Sequence, residues 1–159
     1  MYICYVFNQL LMKITIRKSV LPSAKENIPL IIERALAFLS AKFPTVNFDN
    51  VDLIFSGSGR RGRYFRNEKE CAKYNRPTAF IPTQRKDELL YWKPSLLMVR
   101  DTVTNVGAFD VATACLIHEL THHMQYEKNI RRGELETTKN ELEYYKQYRP
   151  DVYQLFMEL

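Results

Sequence analysis

Apolar and polar positions alternate near the start of the chain. Met12, Ile14 and Ile16 are separated by Lys13, Thr15 and Arg17, the period-two pattern of a half-buried strand, which Pro22 and Ser23 end. The period then lengthens. Between Asn27 and Lys42 the residues Ile28, Ile31, Ile32, Ala35, Leu36 and Leu39 recur every three or four positions, with Glu33 and Arg34 on the other side. This predicts an amphipathic helix with Asn27 as its cap, Pro29 in its first turn and an end before Pro44. Strand-like runs follow at Val51 to Phe55, Thr78 to Ile81 and Leu96 to Val99. The last two are introduced by Pro77 and Pro94, which suit a strand start or a sheet edge. Ser56-Gly57-Ser58-Gly59 reads as a turn.

The last third is helical. Val111, Ala114, Cys115, Leu116, Leu120 and Met124 mark a helix with Asp110 as its cap and an end near Lys128-Asn129. Arg131-Arg132-Gly133 interrupts the pattern. A second helix is expected from Thr137 or Thr138 to Arg149, before Pro150, and a short terminal one from Asp151 to Leu159. Strand, helix, strands and then helices predict an α+β domain with a sheet packed on one side.

Composition narrows this picture. A chain of 159 residues, 46% hydrophobic, can bury one core, so residues 1–159 are read as one domain. Met1 to Leu11 is apolar but lacks a basic leader and is too short to span a bilayer. Met12 opens the cleaner strand pattern, so residues 1–11 read as an N-terminal appendage. Cys4, Cys71 and Cys115 are odd in number and widely spaced, which argues for a reducing compartment and a soluble, cytoplasmic protein with no membrane partner.

The candidate chemistry is concentrated in His118-Glu119-Leu120-Thr121-His122. On a helix, His118 and His122 project from one face and can hold one zinc ion. Glu119 flanks the metal, where a carboxylate can take a proton from an attacking water. This HExxH pattern arises by chance in such a composition at a rate on the order of 0.4%, so coincidence is disfavoured.

A zinc site of this kind needs a third protein ligand. The only other histidine is His123, which points about a hundred degrees away from His122 on a helix, so the third ligand should be an acid. The downstream acids are Glu127, Glu134, Glu136, Glu141, Glu143, Asp151 and Glu158. Glu127 lies on the same helix and is discounted. Lys128 stands where metzincins carry their third histidine, which excludes that group, and the absence of later histidines excludes SprT-like proteases.

Glu141 follows His122 after 18 intervening residues. This HExxH-x18-E spacing, with the Asn140-Glu141 pair, resembles the gluzincins, the thermolysin and aminopeptidase group of zinc peptidases. The resemblance covers residues 108–150. It implies a small zincin-like domain with the motif on a central helix, one zinc ion held by His118, His122 and Glu141, and Glu119 as general base. Two readings compete at Glu141. Thr138-Lys139-Asn140-Glu141 also fits a capping box, and Glu143 is a second acid about two hundred degrees round the helix. Thermolysin-like enzymes carry an aspartate where this chain has Tyr145, so another acceptor must hold the ligand histidines. Gluzincins often stabilise the oxyanion with a downstream Tyr, His or Arg, a role for which Tyr148 ranks first, Tyr145 next and Arg149 third.

The expected function is therefore zinc-dependent hydrolysis of a protein or peptide substrate, laid as an added strand along an edge formed by Leu96 to Val99 or Thr78 to Ile81. The alternatives are a zinc-stabilised binding protein that cleaves nothing and a nucleic-acid-associated protein. The second draws on the net charge of +5 and on Arg60, Arg61, Arg63 and Arg66, interleaved with Tyr64 and Phe65, as a weak nucleic-acid contact. His123 is expected to be solvated or to support the metal ligands.

Overall fold

The computed structural model describes residues 2–7, 10–57, 62–66, 69–74, 76–83 and 107–157. Alternating apolar residues dictate its central feature, a mixed sheet of strands β1 (Tyr2–Phe7), β2 (Leu10–Ile16), β3 (Asp52–Ser56), β4 (Arg63–Phe65) and β5 (Thr78–Pro82). Their spatial order is β1-β2-β3-β5-β4. β2, β3 and β5 run parallel, while β1 and β4 are antiparallel edge strands. Residues 2–7 thus pair with β2 as a hairpin and extend the sheet. β5 is hydrogen-bonded on both sides, so Thr78 to Ile81 has no free edge for a substrate strand. Leu96 to Val99 lies outside the described residues.

The register separates the two faces of this sheet. Ile14 pairs with Leu53 and Ile16 with Phe55, and these continue across the sheet through Ala79, Ile81 and Tyr64. All seven, with Met12, are buried. Each fully buried large aliphatic side chain here stabilises the fold by about 1.5–3 kcal/mol. Lys13, Thr15 and Arg17 point the other way, in register with Asp52, Ile54, Thr78, Phe80 and Arg63.

The helices cover the apolar face. After a single turn α1 (Pro22–Lys25), α2 (Ile28–Lys42) buries Ile28, Ile31, Ile32, Ala35, Leu36 and Leu39. Asn27 occupies the cap position of α2 but makes no side-chain cap, its amide donating instead to the Ser23 carbonyl. α3 (Gly107–Glu127) packs against α2 and touches β4 and β5. It is buried almost all round from Asp110 to Gln125, which is why its apolar pattern has so little contrast. It begins three residues before Asp110, so that residue lies in the first turn rather than at the cap. Asn129, at φ 54°, closes the helix, with Ile130 N–H donating to Gln125 O and Asn129 N–H to Tyr126 O.

α4 (Glu134–Tyr148) and α5 (Pro150–Met157) complete the domain. α4 starts one turn earlier than Thr137 or Thr138, from Gly133 at its cap, with Glu134 and Glu136 favoured in its positive first turn. Thr138 to Glu141 is therefore helix interior, and the capping-box reading falls away. Among the described residues no helix is long and apolar enough to cross a membrane.

Candidate metal centre

α3 places the rings of His118 and His122 one turn apart, with centroids 5.2 Å from each other. A single carboxylate meets both. Glu134 Oε2 lies 2.9 Å from His118 Nε2, and its Oε1 lies 3.1 Å from His122 Nε2. Donor atoms of these three residues all fall within 4.8 Å of one another, so His118, His122 and Glu134 can together hold a metal ion.

The opposite nitrogen of each ring is tied to the protein. His122 Nδ1–H donates to Gln125 Oε1 at 3.0 Å. That amide also grips the start of α4, accepting from Gly133 N–H (3.2 Å) and donating to Gly133 O (3.0 Å). One glutamine thus orients a histidine and fixes the residue before Glu134. His118 Nδ1–H donates to Glu141 Oε1 in a very short contact. Glu141, expected from its spacing to bind metal, instead occupies the supporting position behind His118, and the acid facing both Nε2 atoms is Glu134. Glu141 also supplies the acceptor for a ligand histidine that was expected to come from elsewhere. A carboxylate or amide on Nδ1 fixes the tautomer and makes Nε2 the better ligand.

The brace continues outward. Asn140 Nδ2 donates to Thr121 Oγ1 (3.0 Å), and Lys42 Nζ donates to Asn140 Oδ1 (2.5 Å) while pairing with Glu143. Glu143 therefore faces α2 and not the histidines.

Glu119 is 5% exposed. Gly62, just before β4, lies so close above it that a Cβ there would meet Cys115 Sγ at 2.5 Å and Glu119 Oε1 at 2.8 Å. Only a glycine lets the backbone approach in this way. Glu119 Oε2 is buried and has no hydrogen-bond partner among the described residues, which is costly unless a ligand completes it. Burial raises the Glu119 carboxyl to about 8, with Glu134 and Glu141 adding to the rise and His118 and Arg132 opposing it.

Charge within the cluster is tightly shared. Burial disfavours a proton on His118, but Glu134 and Glu141 outweigh it and hold this imidazole at about 11. His118 holds Glu134 down at about 2, although 69% of the Glu134 side chain is exposed. Burial lowers His122 and raises Glu141. At the buried His118–Glu141 pair the attraction between the carboxylate and the ring favours the protonated imidazole. In chelator-treated protein the raised His118 stabilises the fold fully below pH 6.5, and this is lost as the pH climbs through about 11. The depressed Glu134 contributes above pH 4.5 and loses its contribution as the pH falls through about 2. Metal must displace the proton between Glu134 and His118. Zinc uptake near neutral pH is therefore expected to release about one to two protons. Calorimetry in buffers of different ionisation enthalpy measures this number, and a proton-neutral uptake would contradict the arrangement.

The other expected site residues lie elsewhere. Tyr145 has no exposed surface, so its hydroxyl cannot face a substrate. Tyr148 stacks near Tyr144 (5.0 Å) under the Arg34 guanidinium, and Arg149 pairs with Asp110 and Asp151. These are contacts at the far end of α4. His123 is fully buried and neutral rather than solvated, accepting from Tyr64 O–H at 2.8 Å and donating to Asn47 O at 2.8 Å. It anchors β4, and the Tyr64 ring in turn stacks 6.4 Å from His122. Arg132 also holds this strand, donating to Tyr64 O at 2.8 Å. Arg60 and Arg61 are outside the described residues, Arg63 is exposed on β4, and Arg66 is paired with Glu70.

Gln125, Gly62, Arg132 and Glu134 were not singled out by spacing. Glu134 alone carried a readable signal, as the first acid after the Arg131-Arg132-Gly133 break. No protein-family model matches the chain, and neither a curated protein nor a solved structure matches it.

Proposed function

We propose that the chain is a zinc-dependent metallopeptidase of zincin type, with His118, His122 and Glu134 as metal ligands and Glu119 as general base. One observation carries this reading. Two histidine Nε2 atoms converge on one carboxylate with both Nδ1 atoms held from behind, beside a buried glutamate oxygen that has no partner among the described residues. Two nitrogens and one oxygen suit zinc and leave room for a further ligand. When bound, zinc supplies Lewis acidity, polarising a carbonyl and making water a nucleophile near neutral pH.

The chain's own residues do the rest. Glu119 Oε2 takes a proton from the water that attacks the peptide carbonyl, a role suited to a carboxylate held in place beside the histidine pair. Glu119 then gives that proton to the leaving nitrogen as the C–N bond breaks. The substrate lies extended along β4, the edge strand whose Gly62 end passes over Glu119. Gln125 keeps the His122 ring in place and Glu141 the His118 ring throughout.

Incubation with a proteome-derived peptide library, read by mass spectrometry, tests this function. Zinc-loaded protein is expected to create new termini, chelation to abolish them and zinc to restore them. An uncut library at full zinc occupancy would favour a zinc-stabilised binding protein.

A further inference from the structure

The sheet has a second chemical face, turned away from the metal centre. β2 exposes Lys13 on it, Arg17 follows directly after that strand, and β4 exposes Arg63. Lys73 and Arg76 approach from the segment before β5, lining a cleft of about 250 Å³ with Lys13, Asp52 and Tyr74. A second cleft of about 250 Å³ adjoins it, sharing Lys13, Asp52 and Tyr74 and adding Arg17. Among the described residues this surface carries five basic side chains against one acid. That surplus of four nearly equals the net charge of +5 of the whole chain. Charge so concentrated is more than an ordinary solvated sheet face requires.

Aromatic rings are interleaved with the charges. Phe65, Tyr74 and Phe80 form a half-buried cluster with centroids 5.4–6.4 Å apart, and the Arg17 guanidinium lies 5.1 Å over the Phe80 ring. The acid adds a further clue. Asp52 Oδ1 is buried at the floor where the clefts meet. The Asp52 carboxyl takes a hydrogen bond from the Lys13 backbone, and Oδ1 meets Arg76 Nε at 3.5 Å and no closer donor among the described residues.

We propose that this face binds single-stranded nucleic acid, with bases stacked at Tyr74 and its aromatic neighbours and phosphates held by Lys13, Arg17, Lys73 and Arg76. Aromatic rings beside a basic groove suit unpaired bases, whose flat faces are hidden in a duplex. Asp52 distinguishes this occupant from an acidic peptide. A peptide carboxylate at the cleft floor would be repelled, whereas the exocyclic amino group of a base can donate to the partly exposed Asp52 carboxylate. Cytosine presents such a donor where thymine presents an oxygen acceptor, so dC tracts should bind more tightly than dT tracts.

Fluorescence anisotropy with labelled dC and dT oligonucleotides of about twelve nucleotides tests this proposal. Three to four phosphate contacts predict that affinity falls about 20- to 50-fold between roughly 50 and 200 mM salt. Tyr74→Ala should weaken binding about tenfold or more, and Tyr74→Phe should restore it. Lys73→Glu, at an exposed position, should weaken both oligonucleotides and flatten the salt dependence without changing the circular dichroism spectrum. Chelation should leave binding unchanged, so this result is independent of the metal site. No binding at low salt would overturn the proposal. So would displacement by polyglutamate at equal charge together with an unaltered Tyr74→Ala affinity, since that combination indicates an acidic protein partner.

Discussion

Glu119→Gln is expected to leave zinc content intact and to lower peptide hydrolysis by about 10²–10⁴-fold, the contribution of a positioned general base. The substitution is nearly isosteric, so it fits under Gly62 without the overlap that a larger side chain would cause. It removes the basic oxygen but keeps a polar group in the same buried space. Glu119 lies beside the Nε2 cluster and not within it, and zinc affinity should change little. The measurement pairs metal analysis with initial rates on a peptide cut by the parent protein. Near-parental hydrolysis by the variant would show that another group moves the proton.

The second large effect separates two glutamates seven residues apart on α4. Glu134→Ala removes the one carboxylate that, among the described residues, meets both histidine Nε2 atoms, and activity and tight zinc binding should be lost together. Glu141→Gln keeps a hydrogen-bond acceptor behind His118 Nδ1 but removes its charge, so zinc affinity should fall about 10- to 100-fold with partial activity retained. The order of the two is the test. If Glu141→Gln abolished tight binding while Glu134→Ala preserved it, the ligand assignment would be reversed. Thermal denaturation of the chelated proteins guards against a folding artefact, because it reads what each substitution costs the fold without metal.

The strands at Met12 to Ile16, Val51 to Phe55 and Thr78 to Ile81, the long helix of Ile28 to Lys42 and the motif helix were legible because burial imposes a period on one stretch of chain. β4 was not. Its three residues, Arg63, Tyr64 and Phe65, are too short to show alternation, and the strand is held by β5, by Tyr64 on His123 and by Arg132 on its backbone. Similarly, β1 owes its conformation to pairing with β2, which an apolar stretch by itself does not reveal.

Within the site, the histidine pair and Glu119 follow from helical geometry alone. The third acid does not, because the position at which α4 begins depends on a tertiary contact, the grip of Gln125 on Gly133. That contact moves the helix start back one turn from Thr137 and brings Glu134 to the histidines. Glu141 then falls two turns later, behind His118. The counted spacing selected Glu141, which meets His118 at Nδ1, while Glu134 is the acid that faces both Nε2 atoms. Tyr148 and Arg149 were assigned by position on the same helix, and the contacts of α4 with Arg34 and Asp110 claim them for packing.

The account stands most directly on the identity of the metal ligands. Anomalous diffraction at the zinc edge from crystals of zinc-loaded protein measures it. The predicted result is one zinc peak bonded to His118 Nε2, His122 Nε2 and a Glu134 carboxylate oxygen, with Glu141 remaining on His118 Nδ1. A peak bonded to Glu141, or zinc bound away from the histidine pair, would contradict it.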